Sequence, residues 1–214
     1  MKKLFMCFTL IGALTLPAFA SVTANVSFAS DYIWRGMTQT GDDPAISGGF
    51  DYEAESGFYA GIWGSNVNFS SGAGSELDFY FGYALETDFG LGVDISYVDF
   101  MYPGDSALDF QELGVGLSYE GFGFGYYAGQ DGAADYMDFS YELGAVSLSY
   151  GDYDGVGSNF LVSYGFDCGE YDCSLAYSDF SNDGSYGETI GEDGLGLGDG
   201  MDEDALVFSV SASF

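Results

Sequence analysis

Histidine is absent from this chain, and basic residues are nearly so. The 214 residues include 3 Lys and Arg against 34 Asp and Glu, for a formal net charge of −31. After Lys2 and Lys3, the sole base is Arg35. Nucleic acid is therefore excluded as a partner, because phosphate binding needs clusters of Lys and Arg. The missing His also removes the usual general base, and we expect no enzyme; paired carboxylates of the glycosidase type are the remaining catalytic alternative.

Long hydrophobic runs are also missing, since no segment reaches the roughly 18 apolar residues that a membrane helix needs. The longest candidate, residues 4–16, follows Lys2 and Lys3 and precedes a small-x-small site at residues 18–20. This is the pattern of a secretory signal peptide. We expect residues 1–20 to be removed and residues 21–214 to form a single domain without a helical anchor.

The acidity of the chain does not indicate disorder. Acidic disordered chains are poor in aromatic residues, whereas this one is 19% aromatic and 47% hydrophobic. An ordered, β-rich chain is therefore expected. A saline habitat or a need for solubility is an alternative explanation of the acidity itself.

Amphipathic strands are predicted along most of the chain. Residues 204–214 alternate between an apolar face ending at Phe214 and a small, mostly polar face. Residues 22–35 alternate in the same way, with Tyr32 and Trp34 on the apolar face and Asp31 and Arg35 on the polar face. Further runs are expected near residues 44–53, 58–69, 75–86, 90–100, 109–119, 122–129, 136–143, 145–151, 159–167 and 173–180. These patterns predict an all-β fold, a transmembrane antiparallel up-and-down β-barrel of about 12 strands.

The connections between the predicted strands alternate in length, which supports the same fold. The longer, polar ones lie at residues 36–43, 70–74, 101–108, 130–135, 152–158 and 181–203. The tight ones lie near residues 54–57, 87–89, 120–121 and 144. Long outer loops and short periplasmic turns are typical of bacterial outer-membrane barrels, so we expect that location.

Two cysteines, Cys168 and Cys173, flank a predicted periplasmic turn. In an exported chain such a pair most simply forms a disulfide. Metal binding is the alternative, but two thiols without His make an incomplete zinc site. We predict neither a metal nor a cofactor.

Three segments resemble a known family: SDYIWRGMTQT at residues 30–40, PAISGGFDY at residues 44–52 and SGFYAGIWGSNV at residues 56–67. They are similar to the TorF family of proteobacterial proteins, formerly a conserved hypothetical group whose transport activity is inferred. The resemblance implies an outer-membrane barrel, and it supplies no catalytic or ligand residues. Phe214 similarly resembles the C-terminal signal read by the barrel assembly machinery. Outer-membrane lipid, lipopolysaccharide and this machinery are the expected partners, with small cations or hydrophilic solutes as cargo.

The inward face of the predicted barrel is acidic and lined with small residues. The candidate pore-lining residues are Asp31, Arg35, Asp51, Glu53, Glu76, Asp78, Glu86, Asp94, Glu112, Asp138 and Glu142. Glycine and serine at positions such as Gly82, Gly114 and Gly125 are expected to leave water in the lumen. Rings of carboxylates select cations, which predicts a cation-preferring diffusion channel. Alternatively, these carboxylates are simply solvated near the rims.

Arg35 is expected to find its partner on another strand rather than at Asp31, which is about 13 Å away at strand spacing. Its role would be to fix the lumen geometry or to narrow the pore. Two other classes compete with the porin hypothesis: a non-conducting structural or surface-interaction barrel, and an exported soluble β-sandwich.

Overall fold

A computed structural model of the protein describes residues 21–69, 72–183 and 202–214. The predicted signal segment at residues 1–20 and most of the connection at residues 181–203 lie outside the described residues. Within the described ranges, no helix has the length and apolar character needed to cross a membrane.

Fourteen strands form in the described part of the chain. They are β1 (Ser21–Ala29), β2 (Ile33–Trp34), β3 (Met37–Thr38), β4 (Ala45–Glu53), β5 (Phe58–Asn66), β6 (Ser75–Glu86), β7 (Gly92–Met101), β8 (Phe110–Tyr119), β9 (Phe122–Gly129), β10 (Tyr136–Leu143), β11 (Val146–Tyr153), β12 (Gly157–Cys168), β13 (Tyr171–Asn182) and β14 (Glu203–Ser213). A single 3-10 turn, Ser106–Leu108, lies between β7 and β8.

Twelve of these strands close into one antiparallel barrel. Each pairs with its neighbours in the chain, and β1 closes the barrel by pairing with both β4 and β14. The short strands β2 and β3 pair with each other and form a separate hairpin. The predicted all-β barrel of twelve antiparallel strands is therefore confirmed.

The barrel wall has an apolar outer face because its strands alternate. Ile95 on β7 is paired with Tyr83 on β6 and with Val115 on β8, and all three side chains are exposed. Their sequence neighbours, such as Asp94 and Ser96, project to the opposite face, into the lumen. A closed ladder leaves no sheet edge, and an apolar exterior is suited to hydrocarbon.

The start of β1 and the end of β14 lie at the same end of the barrel, which we call the termini end. Tight turns at this end join β4 to β5, β6 to β7, β8 to β9, β10 to β11 and β12 to β13. The turn between β8 and β9 consists of Glu120 and Gly121, both with positive φ, as a two-residue type I′ hairpin requires. The connections at the opposite end, the loop end, are longer except for residues 154–156. The predicted alternation of lengths is present.

The prediction that the first strand runs to Arg35 is wrong. The strand β1 ends at Ala29, and residues 30–44, here called the inner hairpin, turn into the barrel before β4 begins. Arg35 and Gly36 form its two-residue turn, with φ values of 49° and 89°. Tyr32 and Trp34 therefore lie inside the lumen rather than on the outer face.

The predicted disulfide is confirmed. Cys168 at the end of β12 is bonded to Cys173 near the start of β13, with a Cα–Cα distance of 5.8 Å. The bond spans the turn at residues 169–170, at the termini end. It ties together two strands that are already paired over their whole length.

Candidate functional site in the barrel lumen

The inner hairpin crosses the lumen in the half of the barrel nearest the loop end. The Trp34 ring lies edge-on to Phe100 on β7 at 6.1 Å and to Tyr153 on β11 at 5.7 Å between centroids. The Thr38 amide donates to a carboxylate oxygen of Glu203 on β14, at 2.9 Å. These three strands are well separated around the closed barrel. The inner hairpin is therefore held from several sides of the wall.

Apolar packing adds to these contacts. Met37 is buried at 3% exposure in a cluster with Tyr136, Tyr153, Val156 and Phe180. In addition, the backbone N–H of Asn68 donates to the backbone carbonyl of Gln39, at 2.8 Å. A buried cluster of this kind excludes water from its part of the lumen. The lumen is consequently narrowed by packed side chains at the level of the inner hairpin.

Arg35 lies in the centre of this layer. Its two terminal nitrogens donate to the two carboxylate oxygens of Glu112 on β8, at 2.6 and 2.7 Å, and both side chains are almost completely buried. Four rings surround its guanidinium carbon: Trp34 at 4.3 Å, Tyr127 at 5.3 Å, Tyr136 at 4.0 Å and Tyr153 at 5.2 Å from the centroids. Burial alone would lower the pKa of Arg35, but the charge of Glu112 and its hydrogen bonds outweigh burial and raise it above the ordinary value. Arg35 is thus a permanently charged anchor of the inner hairpin.

Asp31 belongs to the inner hairpin and organises it from within. Its carboxylate accepts hydrogen bonds from the hydroxyls of Thr38 and Thr40, at 2.7 Å each. The backbone N–H of Gln39 also donates to the backbone carbonyl of Tyr32, at 2.7 Å. Asp31 precedes the turn and both threonines follow it, so these hydrogen bonds join the two arms and stabilise the turn locally. Asp31 therefore lies in the lumen, with the geometry of a turn-stabilising residue.

Glu76 and Asp78 lie on the luminal face of β6 and are nearly inaccessible, at 3% and 1% exposure. The Tyr32 hydroxyl donates to one oxygen of Glu76 at 3.2 Å. Burial, followed by the negative charges of Glu76 and Asp78, raises the pKa of Tyr32 well above its ordinary value, so this phenol stays a neutral donor. Within the described residues, no N–H or hydroxyl group donates to the second Glu76 oxygen or to either Asp78 oxygen, and the two carboxyl groups lie next to each other. Such carboxylates need a proton or a cation to offset their burial.

Asp138 on β10 is similarly enclosed, at 1% exposure. Neither of its carboxylate oxygens has a hydrogen-bond partner in the part of the chain that the structure describes. It projects over Gly125 on β9, where an added Cβ would overlap both Asp138 and the Tyr127 ring. Asp138 therefore lies next to the rings that surround Arg35.

Three other predicted residues line the lumen closer to the termini end. Asp94 accepts hydrogen bonds from the Tyr59 hydroxyl at 2.9 and 3.1 Å, and Asp51 accepts from the Tyr80 hydroxyl and from the Asn25 amide. Glu53 is the next luminal residue after Asp51 on β4 and is paired with Tyr59. All three carboxylates are partly exposed. Glu86 and Glu142 lie at the termini rim and are exposed.

Tyrosine rings fill luminal space that the sequence had indicated would be open. Tyr80 lies against Gly61 and Tyr59 lies against Gly82, so closely that neither glycine has room for a Cβ. At Gly114 an added Cβ would overlap the Ser96 hydroxyl and come close to the Tyr127 ring, and at Gly125 it would overlap Asp138 and Tyr127. The expectation that these small residues leave water in the lumen is therefore wrong at Gly82, Gly114 and Gly125. At Gly82 and Gly114 the missing side chain makes room for groups of the neighbouring strands, and at Gly125 it makes room for Asp138 of β10 and for Tyr127 of its own strand.

About half of the chain matches a known sequence family. The model of the Gcw_chp family, described as bacterial proteins of unknown function, matches residues 17–126. The chain belongs to the Gcw_chp family. The matched range includes the inner hairpin and Glu112, whereas Asp138 lies beyond it. Membership of the TorF family, which the sequence motifs suggested, stays a prediction.

The other comparisons are less informative. No curated protein matches the chain significantly. Among solved structures, the crystal structure of Acinetobacter baumannii OccAB4 matches at 12% identity, over 88% of this chain and 57% of that one, with a TM-score of 0.35. The chain spans less than two thirds of that protein, and the low TM-score leaves the likeness without functional weight.

The lumen is narrowed at the inner hairpin, where charged side chains are buried among aromatic rings. In the described residues, no three His, Cys, Asp or Glu side chains are grouped as a metal site. The eleven predicted pore-lining residues fall into three sets: a buried layer at the inner hairpin, partly exposed carboxylates below it and exposed carboxylates at the rim. Sequence reasoning missed Trp34, Tyr127, Tyr136 and Tyr153 as luminal groups. The Arg35–Gly36 turn was the local signal that could have placed Trp34 inside.

Proposed function

We propose that this protein is an outer-membrane diffusion channel for small hydrophilic solutes, with a preference for cations and with the inner hairpin as its constriction. The observation that carries the proposal is the pair of partly exposed carboxylates, Asp51 and Asp94, inside a closed barrel with an apolar exterior. Hydrogen bonds from Tyr59, Tyr80 and Asn25 satisfy part of these carboxylates, and their exposed part requires water or cations. The termini half of the lumen is, on this proposal, an aqueous, acidic compartment.

The charge balance of the lumen supports the cation preference. Arg35, the sole base after Lys3, is paired with Glu112 and contributes no free positive charge to the lumen. Asp51, Glu53 and Asp94 remain as negative groups on the path from the termini end to the inner hairpin. Carboxylates that line a pore attract cations and repel anions.

The inner hairpin also favours a second candidate function. Its packing by Trp34, Met37 and Arg35 fits a barrel that does not conduct and serves a structural or surface-interaction role. The two functions differ in one measurable respect, because only the first requires a continuous aqueous path past the inner hairpin.

Planar-bilayer recordings on the purified full chain separate the two functions. We expect discrete conductance steps. Across a KCl gradient, the reversal potential should have the sign of the potassium equilibrium potential, which indicates cation selectivity. An absence of steps from folded barrels would contradict the channel proposal and favour the structural one. Steps with an anion-selective reversal potential would retain the channel and contradict the charge argument.

A further inference from the structure

The barrel wall carries a recess that holds a guanidinium group. The wall recess consists of Glu112 on β8, Tyr127 on β9, Tyr136 and Asp138 on β10, and Tyr153 on β11. These residues lie on four consecutive strands, so the wall builds the recess by itself. The group that fills it, the Arg35 side chain, comes from a different element, the inner hairpin.

The wall recess has the features that proteins use to bind planar organic cations. Glu112 receives two parallel N–H···O bonds of 2.6 and 2.7 Å, which matches the fork of a guanidinium. Tyr136 stacks on the guanidinium carbon at 4.0 Å, and Tyr127 and Tyr153 lie slightly farther away, at 5.3 and 5.2 Å. Aromatic faces attract cations most strongly when water is excluded, as it is here.

The wall recess also contains a second carboxyl group, to which Arg35 donates no hydrogen bond. Glu112 is fully used by Arg35, whereas Asp138 is 99% buried and has no hydrogen-bond partner in the described residues. Asp138 lies close enough to Arg35 for their charges to interact. Its oxygens lie beside the Tyr127 ring, over Gly125. The recess is thus an aromatic pocket with two carboxyl groups, of which Glu112 alone is hydrogen-bonded to Arg35.

The backbone at Arg35 indicates that the side chain, and not the turn, explains the presence of arginine. With φ at 49°, Arg35 has a left-handed conformation that Asn or Gly adopts more easily. The turn therefore gains nothing from arginine. The guanidinium at this position contacts the wall recess as an external ligand would.

We propose that the wall recess is a binding site for guanidinium solutes, and that Arg35 occupies it as an internal competitor. Removal of the Arg35 side chain should expose the site to such solutes. The inference deepens the proposed function, on which it rests for the route by which a solute reaches the recess.

The test uses the purified full chain in detergent, with Arg35 replaced by glycine, which suits the left-handed backbone. Isothermal titration with methylguanidinium chloride at constant ionic strength should give saturable binding to R35G. Binding to the wild type should be at least tenfold weaker, because the tethered Arg35 competes at high effective concentration. The neutral isostere N-methylurea should not bind, and the double variant R35G/E112Q should lose the binding of methylguanidinium. A folded R35G barrel that shows no saturable binding, or that binds N-methylurea equally well, would overturn the proposal.

Chemical rescue keeps the test decisive if R35G folds poorly. A solute that binds the folded state alone stabilises it by mass action. Methylguanidinium, and not N-methylurea, should then raise the refolding yield of R35G, and the same holds for R35N, whose side chain also suits the turn. Equal yields with both solutes would contradict the proposal. Because these readouts measure binding and not conductance, their failure is distinguishable from a failure of the channel proposal.

Discussion

Two kinds of contact hold the Arg35 guanidinium in place: an ion pair with Glu112 and contacts with aromatic rings. The bidentate ion pair is directional and nearly free of water, whereas the ring contacts are weaker and less specific. A buried pair of this kind contributes little beyond an apolar substitute, but the loss of one partner leaves an uncompensated charge. The stability of the inner hairpin therefore depends on the pair remaining complete.

Replacing Glu112 by Gln tests this dependence. The substitution preserves size but leaves the Arg35 guanidinium buried without its carboxylate, so we expect the free energy of unfolding to fall by about 3 kcal/mol. The measurement is urea unfolding in lipid vesicles. Glu86→Gln is the matched control, since Glu86 is exposed at the termini rim and its replacement should leave the unfolding midpoint unchanged. Equal midpoints for wild type and E112Q would mean that the ion pair does not stabilise the inner hairpin.

The inner hairpin as an element depends on one glycine. Gly36 has a φ of 89°, and a Cβ there would lie 2.6 Å from the Cβ of Asn159 and 3.0 Å from the Cβ of Phe180. The turn therefore needs glycine for its backbone conformation and for close contact with β12 and β13 together.

Gly36→Ala should accordingly lower the free energy of unfolding by more than the backbone strain of a positive φ would alone. Left-handed strain of about 1 kcal/mol and overpacking of about 2 kcal/mol together predict a loss of about 3 kcal/mol in unfolding free energy. Gly90→Ala isolates the first contribution, because Gly90 has a similar φ of 86° with open space around it. Unfolding of both variants by urea gives the comparison. If G36A and G90A lose the same amount, the inner hairpin is not packed against Asn159 and Phe180.

The inner hairpin also shows where prediction from sequence stops. The period of two that identifies β1 continues through residues 30–35, because short hairpin strands alternate as wall strands do. Trp34 is apolar enough for lipid and for a packed lumen alike, so periodicity cannot distinguish the two. The wall strands and the disulfide were predictable because each depends on local alternation or a local cysteine pair.

The contacts inside the lumen were less predictable for a geometric reason. Asp31, Arg35 and Glu112 were all expected to face inward, but the pairing of Arg35 with Glu112 joins residues 77 positions apart in the chain. Which inward residues meet across a barrel depends on strand number, register and the path of the inner hairpin, none of which is local. The seating of Tyr59 over Gly82 depends on the same register between neighbouring strands.

At the scale of the whole molecule, a net charge of −31 is a competing source of cation preference, because it attracts cations to every surface. Luminal and external charge act over different distances, however. In water a carboxylate about 10 Å from a permeating ion contributes about 0.4 kcal/mol, and external charges at greater distances are largely screened at 0.1 M salt. The carboxylates inside the barrel should therefore dominate selectivity at that ionic strength.

The double variant D51N/D94N tests this view of the molecule. The loss of two luminal charges removes both the attraction of the cation and the repulsion of the anion, so it should lower the cation-to-anion permeability ratio by roughly 15-fold at low salt, and by less above 0.1 M. The ratio is obtained from the reversal potential across a KCl gradient. Asp88→Asn removes a charge from the exposed turn between β6 and β7 and should leave the ratio unchanged. Equal shifts for D88N and D51N/D94N would assign the preference to the overall charge, since a filter inside the barrel cannot respond equally to a charge outside it.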